Sequence, residues 1–159
     1  MDTTQLNDLL RSILPKSKSR VNFLGVFPSD KIPSPSYLIS HTPCCYVANV
    51  DPAGAPGSHW IAVYSSSPRN LEFFDSYASH PHDLGFHFPL NVKVVHNTKP
   101  IQSFTSSVCG QYCAYFLIHR SNGLPMHTIV RTLSKMSPSL SDSFVSKFIH
   151  KLKHTNGIK

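Results

Sequence analysis

The segment Val108 to His119, VCGQYCAYFLIH, is apolar almost all the way round a helical turn, and a helix of that kind needs cover on every side. It therefore belongs in the middle of a fold, with Asn122 and Gly123 as its stop signal. The rest of the chain must supply the cover. Leu6, Leu9, Leu10, Ile13 and Leu14 recur at helical spacing after Thr3 and Thr4, either of which can cap, and Pro15 ends that first helix. Val21 to Phe27 and Cys44 to Val50 read as strands, the second closing at Asp51 and the turn-rich DPAGAPGS. Pro28, Pro33 and Pro35 hold the stretch between them open as loop.

Trp60 to Tyr64 and Leu71 to Phe74, separated by SSSPRN, form a hairpin whose strands are nearly continuous apolar and hence buried. Asn91 to His96 is a further strand, reached through the histidine-rich loop SHPHDLGFHFP. Two more helices follow, Thr128 to Met136 and Ser143 to His154. The last carries Phe144, Phe148, Ile149 and Leu152 on one face and Lys147, Lys151 and His154 on the other. Helix, several strands, then helices predict an α+β domain with a mainly antiparallel central sheet flanked by helices. With 159 residues, 40% of them hydrophobic, one domain over 1–159 is expected.

The net charge of +7, with ten histidines besides, leaves polyanions open as partners. The longest apolar run falls short of a bilayer span, and Met1 to Asn7 carry an acid and no basic n-region, so neither a membrane anchor nor a secretory leader is predicted. Cys44 and Cys45 are adjacent, and Cys113 lies one helical turn past Cys109, a pattern that does not suit a disulfide framework and fits a reducing compartment.

Cys109 opens the central helix, in SSVCGQYCAYFL, where a helix N-terminus lowers a thiol pKa and makes the sulfur nucleophilic. Ser106 and Ser107 are available as caps, Gly110 lets a substrate backbone approach, and Cys113 points into the apolar body. His59 stands at the mouth of a buried strand, in PGSHWIAVY, with rigid support below and access above, as a general base requires. Asp75 closes the paired strand, in LEFFDSY, near enough to orient the imidazole. Gln102, seven residues before Cys109, completes a set of base, orienter, oxyanion donor and nucleophile. Taken singly, the cysteine reads as a core hydrophobe, the histidine as a strand-end residue and the acid as a turn cap.

The order His, acid, Gln, Cys-Gly resembles the adenovirus endopeptidase (adenain) family, which is related to the proteases that process ubiquitin-like proteins. FLGVFPSD, CCYVANVDPAGAPGSHWIAVY, LEFFD, QSFTSSVCGQYCAYFL and GLPM carry the resemblance, over roughly Phe23 to Met126. It implies a papain-like/adenain-like cysteine protease fold with Cys109 as nucleophile at the N-terminus of the buried helix, His59 as base, Gln102 in the oxyanion hole and Asp75 as the acid, where adenain has glutamate and the ubiquitin-like branch aspartate. Trp60 would wall a narrow cleft that favours glycine beside the scissile bond.

The resemblance further implies an endopeptidase that needs no cofactor for its chemistry and cuts structural precursor proteins of a DNA virus or virus-derived mobile element. Such an enzyme would act as a monomer in the virion and in the host nucleus or cytoplasm, and DNA or an activator peptide would stimulate it. Lys16 to Arg20 and Lys147 to Lys153 are the basic faces open to DNA, although a solvated amphipathic helix explains the second equally well. Two features depart from adenain: no cysteine lies between Cys45 and Cys109, where its activating peptide attaches, and the segment from Asp75 to Gln102 is shorter. The other readings are a protease for ubiquitin or a ubiquitin-like protein, and a non-enzymatic basic DNA-binding protein. A metal site from Cys44, Cys45, His80, His82 and His87 does not match common ligand spacings.

Overall fold

A computed structural model describes residues 1–159. Helix α1 spans Thr3–Ile13 and is capped by Asp2 in place of Thr3 or Thr4. The Asp2 carboxylate accepts the Gln5 N–H at 2.8 Å while the Gln5 side chain accepts the Asp2 N–H at 3.2 Å, a reciprocal capping box. Strand β1, Asn22–Phe27, leads into helix α2, Pro35–His41, where the prolines had predicted open loop. The reason is positional. Ser34 accepts the Tyr37 N–H at 3.2 Å, and Pro35 takes the first helical position, where its missing N–H costs nothing.

Strands β2 (Cys44–Asn49), β3 (Trp60–Ser67), β4 (Asn70–Phe74) and β5 (Lys93–His96) complete a five-stranded sheet in chain order. The mainly antiparallel expectation needs correction, because the sheet is mixed. β2·β3 and β3·β4 run antiparallel, but β1·β2 and β4·β5 run parallel. A parallel pair needs a crossover of about a dozen residues, and α2 with its flanks, and the stretch from Asp75 to Val92, provide one each.

Both faces of this sheet are covered, which is why its strands read as continuous apolar runs. Cys45, Val47, Ala62, Tyr64 and Phe74 face a large core shared with the helices, while Cys44, Tyr46, Ala48, Ile61, Val63 and Phe73 face a smaller one closed by Leu38 and Phe86. The larger core surrounds helix α3, Cys109–Ser121, which packs on β3, α1, α4 (Met126–Ser134) and α5 (Pro138–Thr155). Phe116 of α3 stacks on Phe74 of β4 with centroids 4.6 Å apart and planes 7° apart, a pairing that contributes roughly 0.5–1.5 kcal/mol beyond area burial. No helix is long and apolar enough to cross a membrane.

The register decides what the fold presents at one end. Ala62 pairs with Phe74 and Tyr64 with Glu72, so the residue before β3 and the residue after β4 leave the same end of the sheet as diagonal neighbours. Those residues are His59 and Asp75. The preceding loop is shaped by Gly57, at φ +78°, where an added Cβ would stand 2.9 Å from the Asn49 amide nitrogen, closer than real Cβ atoms come.

Candidate active site

His59 Nε2 and the Asp75 carboxylate are joined by a hydrogen bond. Asp75 is 1% exposed and its remaining lone pairs are met: Oδ1 also accepts the Tyr77 N–H at 3.1 Å, and Oδ2 accepts the Ser79 N–H at 3.0 Å. Burial raises its pKa, but the imidazole and these two N–H groups outweigh burial and hold it below the usual carboxylate value. The backbone of Asp75 is pinned as well. Its N–H donates to Asn97 Oδ1 at 3.0 Å, and Asn97 Nδ2 donates to its carbonyl at 2.7 Å.

With Nε2 committed to Asp75, the other imidazole nitrogen is the one left for Cys109, the first residue of α3. The Cys109 thiol is 9% exposed, and burial pushes its pKa up. His59 and the backbone N–H groups of Trp60 and Gly110 more than offset burial, leaving the thiol below its ordinary value. For His59 burial is again the largest influence and lowers the pKa, yet Asp75 and Cys109 together carry it to about 9. A lowered thiol beside a raised imidazole shifts both groups toward the thiolate–imidazolium form. Cys44, Cys45 and Cys113 are the contrast, since burial pushes each of their thiols up.

Gln102, 2% exposed, joins this group through two serines. Ser76 donates from Oγ to Gln102 Oε1 at 2.5 Å, and its carbonyl accepts the N–H of Ile101 at 2.9 Å and of Gln102 at 3.2 Å. Gln102 Nε2 in turn donates toward the Ser106 carbonyl and Oγ, each at 3.1 Å. Ser106 and Ser107 do not cap α3. Its N-cap is Val108, with no side-chain bond, because the Ser106 hydroxyl is engaged with Gln102 and with the Ser103 carbonyl at 3.1 Å. The first turn of α3 thus keeps N–H groups that no side chain caps, beside the sulfur.

Trp60 is half-buried, and the side of Gly110 on which a Cβ would stand faces Trp60 Cδ1 at 3.6 Å and Leu6 Cδ2 at 3.7 Å. Gly110 is therefore packed on that side by ordinary van der Waals contacts. A groove of about 440 Å³ opens beside Trp60, between the 52–57 loop and Met1 to Thr3. A second, of about 420 Å³, lies between β5 and α4, and none of His59, Asp75, Gln102 or Cys109 lines either of them. Cys44 and Cys45 face opposite sides of the sheet and cannot share a ligand, and no cluster of three or more His, Cys, Asp or Glu is placed to hold a metal ion.

Ser76, Tyr77 and Asn97 were not singled out in the sequence. Ser76 and Tyr77 adjoin Asp75, which was a usable signal; Asn97 sits just past β5 and nothing local distinguishes it.

Comparison with known proteins places this geometry in context. No family model matches the chain. It is 29% identical over 122 residues to the protease of Bovine adenovirus C serotype 10, an alignment covering 66% of this chain and 60% of the relative, so the chain spans less than two thirds of that protein's length. Among solved structures, it is similar to the central domain of the uncharacterized Lpg1148 protein from Legionella pneumophila. The TM-score is 0.52 and the identity 17%, over 96% of this chain and 98% of the other. That likeness concerns the fold.

Proposed function

We propose that this chain is a cysteine endopeptidase with a papain-like/adenain-like fold, in which the Cys109 thiolate attacks a peptide carbonyl. The observation that carries the reading is the juxtaposition at one sheet end of a buried Asp75, an imidazole bonded to it, and a thiol whose pKa is lowered at the start of a helix. In this mechanism His59 shuttles the proton, holding it as imidazolium during attack and delivering it to the leaving amine. Asp75 fixes the imidazole's orientation and stabilises its charged form. The Gln102 amide and the Cys109 N–H receive the oxyanion, with the substrate oxygen displacing Ser106 from Gln102. Water then releases the acyl group from sulfur. No step calls for a cofactor.

The distant likeness to an adenovirus protease supports a substrate class of viral or mobile-element structural precursors, cut next to glycine, in a virion setting. Trp60 and its groove are the elements we assign to the acyl side of the substrate. Stimulation by DNA or an activator peptide belongs to the same proposal, with exposed Lys147 and Lys151 of α5 as the polyanion face. A second reading, a protease for ubiquitin-like proteins, is favoured by the aspartate at position 75.

An electrophilic thiol probe at neutral pH tests the chemistry. Labelling is expected at Cys109 alone, lost in Cys109→Ala and sharply reduced in His59→Ala; equal labelling of all four cysteines would overturn the reading. Cleavage of a glycine-containing capsid-precursor peptide, set against cleavage of ubiquitin-type conjugates, separates the two substrate classes.

A further inference from the structure

The rings around His59 carry an inference that rests on the peptidase reading. Tyr77 stacks on the imidazole with centroids 4.9 Å apart and planes 26° apart, and Phe104 stacks on Tyr77 at 5.5 Å and 13°. Three aromatic rings thus run from the proton shuttle to the loop that carries Gln102. Phe104 is 83% exposed, an unusual place for a ring whose burial would be favourable. Its loop is nonetheless tied down. Ser103 Oγ and Thr105 Oγ1 lie 3.0 Å apart, and the Ser103 N–H donates to Asp142 at 3.3 Å. The ring is held out to solvent by an ordered base, with Tyr77 its one aromatic partner.

Chemistry says which part of a substrate meets these rings. The imidazolium hands its proton to the leaving amine, so the peptide downstream of the scissile bond has to depart past His59. The groove beside Trp60, assigned to the acyl side, is lined by neither Tyr77 nor Phe104. We propose that Tyr77 and Phe104 form the recognition surface for the first residues downstream of the cut, selecting a large apolar or aromatic side chain there. Tyr77 has a second task, since it covers one face of the imidazole and its N–H bonds Asp75. Phe104 touches neither and is free to act in selection alone.

The test uses peptides with one acyl sequence ending in Gly-Gly and either Phe, Leu, Gly or Asp immediately after the cut, together with the methyl ester of the same acyl peptide. For the wild-type chain, kcat/KM for Phe and Leu should exceed that for Gly by about tenfold, the size of a good aromatic contact. Phe104→Ala should bring that ratio to within about twofold of unity, and Phe104→Tyr should keep it. Equal turnover of all four peptides by the wild type, or a ratio that survives in Phe104→Ala, overturns this inference and leaves the peptidase reading standing. Failure to turn over both the peptides and the ester overturns the peptidase reading and this inference with it.

Discussion

The two halves of the candidate site are built in different ways. His59 and Asp75 are delivered by the sheet: a paired register brings them to one end, hydrogen bonds from the Tyr77 and Ser79 N–H groups fix the carboxylate, and Asn97 pins the Asp75 backbone. Gln102 is delivered by irregular backbone, whose position depends on side chains from other parts of the chain, Ser76 at one end and Asp142 behind. The hydroxyl of Tyr112 reinforces this from within α3, lying 3.0 Å from the Ile101 carbonyl and 2.8 Å from Asp142. Ladder hydrogen bonds are repetitive and share load among many residues, whereas a loop held by a few side chains can be loosened by one substitution. The pair should therefore respond to charge, and the amide to anchoring.

The largest effect is expected from Asp75→Ala, on the order of a thousandfold loss in kcat or more, because the imidazole loses both its orientation and its counter-charge. Steady-state kinetics against wild type checks this, and a loss under tenfold would dissolve the contrast drawn between the halves. Gln102→Ala is expected to cost on the order of a hundredfold in kcat with KM little changed, the usual scale for one oxyanion donor.

Third in size is the effect of pH. The thiol pKa is lowered and the imidazole's raised to about 9, so both shifts run toward a thiolate–imidazolium pair. As pH rises through about 9 the imidazolium loses its proton and kcat/KM should fall by about tenfold per unit; as pH falls through the lowered thiol value the thiolate is lost, giving the acid limb. A rate still climbing at pH 10 would refute the pair. The same shift bears on stability: a raised imidazole pKa contributes stability that is complete below its ordinary 6.5 and disappears as pH rises through about 9, which urea melts at several pH values would register. The smallest effect is expected from Ser76→Ala, several-fold in kcat, because it frees Gln102 Oε1 while the Ser76 carbonyl still holds the loop backbone; Ser76→Thr should recover most of it.

How much of this could be read from the sequence follows the same division. The hairpin was legible because two apolar runs joined by SSSPRN leave little choice of pairing, and pairing puts His59 beside Asp75. Helix α2 was not, since Pro33 and Pro35 look like breakers until Ser34 and Pro35 are seen as cap and first helical residue. Apolar periodicity says nothing about strand direction, so a mainly antiparallel sheet was expected where the two outer pairs are parallel, although the long connectors allowed either. The bonds of Ser76 to Gln102 and of Asn97 to Asp75 span 26 and 22 residues and have no local signature. Ser106 was assigned to a cap because its place before the helix suited one, and Gln102 competes for the same hydroxyl.

Enclosing α3 within the larger core also settles how its tip can fluctuate. Ten of its residues are buried against elements from both ends of the chain, so its amides from Tyr112 onward, which are hydrogen-bonded within the helix, can reach solvent only when the molecule as a whole comes apart. Deuterium uptake there should track global unfolding, while amides of the 103–107 loop exchange orders of magnitude sooner. The Cys109 sulfur is thus mounted at the end of the slowest-opening element of the protein, and the loop facing it hangs on a few side-chain bonds.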